Sequence, residues 1–287
     1  MRMPEVFAHK PILVFQTDFT YAEGAVSSMY GVVKNVDRTL EIFDGTHYIP
    51  KFDTWSASYR LYQSLPFWPE GTIYVSVVDP GVGTARRACV ARTSGGQYVV
   101  TPDNGALTHL VRYVGIEEVR QIDERTNRLP STRGTSVFAG RDVFGYTAAR
   151  LASGAITWEE VGPCYPVEEV VVHDFPEPAI LDGVATGIVE IVDPNFGNAW
   201  TNVPVALLSE LGVACGDLLR VEICHAGESV YRGIVPFVRS FGMVERGDPL
   251  AYTNEVMNLA FALSQGSFIE RTGVGFGPAW SMRAWRV

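Results

Sequence analysis

Residues 73–87 read IYVSVVDPGVGTARR, an apolar run that stops at an acid and then turns sharply. Ile73, Val75, Val77 and Val78 give the run a strand-like character, and Asp79 stands where such a strand would end. Pro80 fixes φ while Gly81 and Gly83 reach backbone angles that other residues avoid, so a surface turn is one reading. Two glycines equally let a ligand approach the main chain, with Asp79 and Arg86 beside it. Gly-Val-Gly-Thr lacks the spacing of a dinucleotide fingerprint or a phosphate-binding loop, so neither is expected.

Outward from this stretch, strand-like and helix-like segments alternate over roughly the first 170 residues. Residues 12–16 are apolar, Thr17-Asp18 reads as a helix entry, and a helical stretch follows to about Val36. Strands are expected near 40–43, 72–79, 87–93 and 97–101, with Ser94-Gly95-Gly96 as a turn. Helices are expected over 54–65 and 140–152. Such alternation predicts an α/β domain with a mostly parallel sheet, over residues 1–175. The Pro-rich segment HDFPEPAILDG (173–183) supplies a linker at about 176–183. Short β-rich runs at 184–192, 217–224, 229–236 and 258–263 then predict a smaller all-β, barrel-like domain over 184–287.

Composition narrows the function classes. A net charge of −9 without a basic stripe argues against nucleic acid and permits a cationic substrate. No apolar run is long enough to span a bilayer, and Met1–Lys10 lacks the core of a signal peptide. The four cysteines are far apart, with no C-x-x-C pair and no zinc-like His spacing, which suits a reducing cytoplasm and no metal.

Open α/β sheets bind ligands at the carboxyl ends of their strands, where Asp18 and Asp79 are expected. Asp18 is either a helix cap or a carboxylate for two ribose hydroxyls. The corner Pro102-Asp103-Asn104-Gly105 reads as a turn. In the second domain, DPNFGNAWTN (193–202) gathers Asp193, Phe196, Asn198, Trp200 and Asn202 within ten residues. Aromatics beside carboxamides can sandwich a purine and bond its edge; a plain hairpin around Phe-Gly-Asn is the alternative.

Together these segments resemble the S-adenosylmethionine hydroxide adenosyltransferase family, which also contains fluorinases and chlorinases. The matching pieces occur in the family's order: Thr17-Asp18, DGTHYIPKFD (44–53), GTIYVSVVDPGVGTARR (71–87), TPDNGALT (101–108), FAGRDVF (138–144), VDPNFGNAWTN (192–202) and NEVMNLAFALSQG (254–266). The resemblance implies attack on C5′ of S-adenosylmethionine with loss of methionine, in a trimer whose active sites lie between neighbouring subunits. It implies no cofactor. Asp18 would hold the ribose hydroxyls, Phe52 would lie against the substrate, and Asp193 would meet the methionine ammonium. Phe196 would pack on adenine and Asn198 would bond its edge.

Asp79 and Arg86 match the acid and arginine of the family's water-handling triad, which implies hydrolysis to adenosine and L-methionine. The third member, a histidine just before Gly-Arg-Asp, is here Ala139, and none of His9, His47, His109, His173 or His225 occupies a matching place. A methyl group relays no proton. Halide transfer giving a 5′-halo-5′-deoxyadenosine and non-catalytic binding therefore stand as alternatives. Glu255-Val256-Met257 also departs from the family's small, glycine-containing stretch, where methionine-carboxylate contacts are implied.

Overall fold

The computed structural model describes residues 10–287, so His9 and the N-terminal stretch weighed above as a signal peptide lie mostly outside the described residues. The chain forms two compact units, the first ending at His173 and the second spanning Asp174–Val287. No helix among the described residues is long and apolar enough to cross a membrane.

The first unit is built from β1 (Leu13–Thr17), α1 (Ala25–Val36), β2 (Ile42–Thr46), α2 (Thr54–Ser64), β3 (Ile73–Val77), β4 (Ala88–Thr93), β5 (Tyr98–Pro102), α3 (Thr108–Tyr113), β6 (Ile116–Gln121), α4 (Tyr146–Ser153) and β7 (Cys164–Tyr165). Its seven-stranded sheet has the order β2-β1-β3-β5-β4-β6-β7. β1 and β3 are buried at every position, as strands covered on both faces must be. Leu13, Phe15, Val75 and Val77 pack with Met29 and Val33 of α1 and Ala148 of α4. Val14 and Tyr74 point to the other face, among Leu61 of α2 and Leu110 of α3. Period-two alternation along each strand thus feeds two separate cores.

The sheet corrects the expectation of mostly parallel strands. Three pairings are parallel (β2-β1, β1-β3, β3-β5) and three are antiparallel (β5-β4, β4-β6, β6-β7). The first of these follows from the Ser94-Gly95-Gly96 turn between β4 and β5. Its ends close through Thr93 N–H donating to Gln97 O at 2.9 Å, and a connection that short allows only a hairpin. The entry to the first helix is also corrected. α1 begins at Ala25 with Gly24 before it, so Asp18 caps nothing and sits in an intervening loop.

The second unit contains β8 (Ala179–Leu181), β9 (Val184–Val192), β10 (Ala199–Pro204), α5 (Val205–Glu210), β11 (Leu218–His225), β12 (Glu228–Pro236), β13 (Pro249–Thr253), β14 (Asn258–Leu263), α6 (Phe268–Thr272) and β15 (Trp280–Arg286). Its eight strands pair antiparallel along β12-β11-β15-β9-β10-β14-β13, with β8 beside β9. The two ends of this path meet at Phe237 and Ala251, where Val238 N–H donates to Ala251 O at 2.9 Å, so the barrel is nearly closed. Val189, Leu219, Val221, Phe261 and Met282 line the interior with Phe268 of α6.

Two stability measurements follow from this packing. His109 on α3 is wholly buried, and its pKa is pushed down to about 3, first by burial and then by the neighbouring His173 and Arg112. His47 and His173 are lowered as well, mainly by burial. The unfolded chain binds these protons near pH 6.5, so stability is full above that pH and falls on acidification toward the folded values, by about 1.4 kcal/mol per pH unit per histidine. Urea midpoints taken from neutral to acid pH should drop, and His109→Leu should remove about one proton from the slope.

Gly197, between β9 and β10, has φ +70°, and a Cβ there would stand 2.0 Å from Ser267 Oγ and 2.9 Å from Ser267 Cα. Gly197→Ala should cost at least about 2 kcal/mol in denaturant unfolding. Gly212→Ala, at a similar φ of +71° with nothing within 4 Å, should cost about 1 kcal/mol.

Candidate active site

Parallel pairing places the carboxyl ends of β2, β1 and β3 at one edge of the sheet: Gln16 lies opposite Thr46 and Thr17 opposite Val77. The residues that follow these ends, His47, Asp18 and Asp79, are therefore neighbours although the sequence separates them widely. A cavity of about 400 Å³ opens there, within the range of small-molecule sites. Asp18, Phe52, Asp79 and Ala139 all line it, with Glu23 and Lys51 as further charged groups.

Asp18 is 9% exposed and accepts the Phe52 amide N–H on Oδ2 at 2.9 Å. Phe52 holds φ +66°, costly for an aromatic residue, with its ring 68% exposed at the cavity wall. The turn is fastened behind it: Asp53 N–H donates to Pro50 O at 3.1 Å, and the Asp53 carboxylate caps α2 through Ser56 N–H at 2.9 Å.

The opening stretch is both a turn and a clamp. Val82 N–H donates to Asp79 O and Thr84 N–H to Gly81 O, folding residues 79–84 into consecutive turns. Arg86 then doubles back onto Asp79. Its Nε donates to Oδ1 at 2.9 Å and Oδ2 at 3.0 Å, and its Nη2 also meets Oδ2. A Cβ on Gly81 would lie 3.1 Å from Arg86 Cγ, so the glycine is what lets the arginine side chain fold in so closely. The guanidinium also lies over the Phe144 ring, 5.2 Å from its centroid, and the pair is nearly sealed, at 12% and 6% side-chain exposure. The Asp103-Asn104 corner supports this loop: Asn104 Nδ2 donates to Val78 O at 2.9 Å and Asp103 N–H to Arg87 O at 2.9 Å.

Ala139 is 4% exposed and enters a π-helical turn, Gly140–Gly145, where a plain helix was expected. A Cβ at Gly140 would meet Phe138, Phe19 and Val77 at 3.2 to 3.3 Å, so the turn packs tightly on the cavity wall. The neighbouring Arg141 is taken up by Asp142 at 2.6 Å. The titratable side chains lining the cavity are accordingly Asp18, Glu23, Lys51 and Asp79, three acids and one amine.

The remaining expected residues belong to the second unit. Asp193 organises the β9–β10 turn, its Oδ1 accepting Asn195 N–H at 2.9 Å and Phe196 N–H at 3.3 Å. Phe196 is 71% exposed, whereas Asn198 is buried beside Tyr252, whose hydroxyl accepts Trp200 Nε1–H at 2.9 Å. Asn202 is structural: its Oδ1 accepts Ile188 N–H at 2.8 Å and its Nδ2 donates to Pro176 O at 3.1 Å. Phe19, Glu23, Lys51, Val82 and Phe138 were not anticipated as lining residues, because nothing in their local sequence sets them apart from surface or core.

Comparison with known proteins matches this architecture along most of the chain. The family described as SAM hydroxide adenosyltransferase N-terminal domain matches residues 13–162, and the corresponding C-terminal domain matches 187–281. A protein of Salinispora tropica named (R)-S-adenosyl-L-methionine hydrolase is 33% identical, over 93% of this chain and 95% of its own. A protein of the same name from Thermus thermophilus is 34% identical over 92% and 96%. A fluorinase of Actinoplanes sp. is 26% identical over 88% and 90%. The crystal structure of an uncharacterized conserved protein from Thermotoga maritima superposes with a TM-score of 0.87 at 31% identity, covering 96% of this chain and all (100%) of that one. With both domain models matched in order and relatives above 30% identity spanning nearly its whole length, the chain belongs to the SAM hydroxide adenosyltransferase family.

Proposed function

We propose that this protein hydrolyses S-adenosyl-L-methionine, in the R-sulfonium form that its relatives' names specify, to adenosine and L-methionine. The observation that carries the reading is the convergence of Asp18 and Asp79, the latter held by Arg86, on one acid-lined cavity at the strand ends. Three acids and one amine suit a substrate bearing a sulfonium and an ammonium. The hydrolases among the relatives are 32% to 36% identical to this chain, above the 26% of the Actinoplanes fluorinase.

In this reading Asp18 binds the ribose 2′- and 3′-hydroxyls and Phe52 covers the substrate. Asp79 and Arg86 hold one water in line with the C5′–S bond. The sulfonium leaves as a neutral thioether, so no acid is required, and alignment and exclusion of bulk water supply most of the acceleration. As the C5′–O bond forms, the attacking oxygen becomes strongly acidic and gives its proton to Asp79, the cavity acid nearest that water in this assignment. The chemistry calls on no cofactor. Asp193, Phe196 and Asn198 serve the ammonium, the adenine face and the adenine edge. The protein works as a homotrimer in the cytoplasm, with sites completed by a neighbouring subunit; the exposed Phe52 and Val137 at the cavity, 68% and 78% accessible, support a partner there.

Purified protein incubated separately with the R and S sulfonium epimers should release adenosine from the R form, followed by mass spectrometry. Asp79→Asn should lower kcat by about 10²-fold or more with KM changed by less than about threefold. Ala139→His, which restores a base at the cavity wall, should raise kcat by about tenfold. Halide added at molar concentration distinguishes the second reading, favoured by the methyl at Ala139: a 5′-halo-5′-deoxyadenosine would replace adenosine. Binding of either epimer without any product would sink both enzymatic readings.

A further inference from the structure

Beside the cavity, five side chains form a chain of hydrogen bonds that the mechanism above does not use. Asp44, on the edge strand β2, accepts the Tyr21 hydroxyl on Oδ2 at 2.5 Å and the Tyr30 hydroxyl on Oδ1. His47, wholly buried, has Nε2 at 3.1 Å from Asp44 Oδ1 and 2.9 Å from the Tyr30 oxygen. Its Nδ1 lies 2.8 Å from Thr17 Oγ1, which also accepts the Phe19 amide N–H at 3.1 Å.

The partners fix where the protons lie. A bare Nε2 facing the Asp44 carboxylate would place two acceptors together, so Nε2 carries the proton and Nδ1 is the acceptor. Thr17 must then donate its hydroxyl hydrogen to Nδ1 while its oxygen receives the Phe19 N–H. Every donor has an acceptor, and the polarity runs one way from Phe19 to Asp44. Carboxylate, imidazole and hydroxyl are also the parts of a nucleophilic triad, but Thr17 is completely buried and its oxygen is occupied by a backbone amide, so it does not reach a substrate.

What the chain does hold is the peptide on either side of Asp18. Thr17 precedes it and Phe19 follows it, and both end on the same hydroxyl. The His47 main chain adds a second fastening, its carbonyl accepting Thr20 N–H at 2.8 Å, and Ile49 N–H donates to Thr17 O at 3.3 Å. We propose that His47, kept in one tautomer by Asp44, is a positioning residue that sets the Asp18 carboxylate for the ribose hydroxyls. The proposal rests on the assignment of Asp18 to the ribose.

The test compares binding of adenosine, the product of the proposed reaction, with 2′,3′-dideoxyadenosine, which lacks the hydroxyls, by calorimetry. The wild-type protein should prefer adenosine by about tenfold or more. In His47→Ala the preference should fall to about twofold or less, with dideoxyadenosine affinity unchanged. His47→Asn, whose carboxamide oxygen stands near the Nδ1 position, should recover most of the preference. Asp44→Ala changes an exposed residue and leaves the imidazole in place, so it tests the tautomer in a protein that folds even if His47→Ala does not; it should lower the preference by about threefold. An undiminished preference in folded His47→Ala or in Asp44→Ala overturns the proposal. Equal affinities for the two nucleosides in the wild-type protein would instead overturn the ribose assignment of Asp18, and the proposal with it.

Discussion

The amide of Phe52 reaches the Asp18 carboxylate across 34 residues of sequence, and in doing so joins the end of β1 to the turn before α2. Phe52 makes that bond at positive φ, a conformation that costs an aromatic residue about 1–3 kcal/mol. The cost is carried by what surrounds it: the Pro50 turn, the Asp53 cap on α2, and the burial of α2 against the sheet. With the His47–Thr20 and Thr17–Ile49 backbone bonds, the Phe52–Asp18 bond fixes the carboxylate at one strand end relative to the aromatic residue at the cavity wall. The parallel half of the sheet then brings the Asp79 loop to the same edge.

The arrangement of charge around the cavity follows from pairing. Arg86 is spent on Asp79, and Arg141 on Asp142, so the arginines nearest the wall are already neutralised. The lining is left acidic in balance, and a cation entering it meets Asp18 and Glu23 against the single amine of Lys51. The same pairing holds the Asp79 carboxylate in one orientation.

Much of this was legible in the sequence where local chemistry dictates backbone. Asp79-Pro80-Gly81 and Asp193 to Gly197 announce turns because proline, glycine and Asx side chains fix the dihedrals themselves, and both turns carry expected site residues. Strand direction was less legible. The Ser94-Gly95-Gly96 turn forces a hairpin against the parallel pattern that strand–helix alternation implies, and half of the pairings run antiparallel. The start of α1 was misplaced because Thr-Asp is a good cap wherever it occurs, and here the carboxylate is claimed by a distant amide instead. The Tyr21, Tyr30, Asp44 and His47 chain was invisible for a different reason. Only Asp44 and His47 are near in sequence; Tyr21 and Tyr30 come from a loop and a helix with no spacing that relates them to the pair.

Asp44 has one more consequence, which concerns how the protein behaves in a crowd. Among the described residues β2 is the outermost strand of its sheet, and an edge strand offers backbone groups to other extended chains. A negative charge in the middle of that strand, followed by Gly45, makes the edge a poor template for pairing with a neighbour. Two tyrosine hydroxyls hold the carboxylate in place there, so the charge cannot easily fold away. The charge on this sheet edge and the hydrogen bond to a buried imidazole therefore come from one side chain.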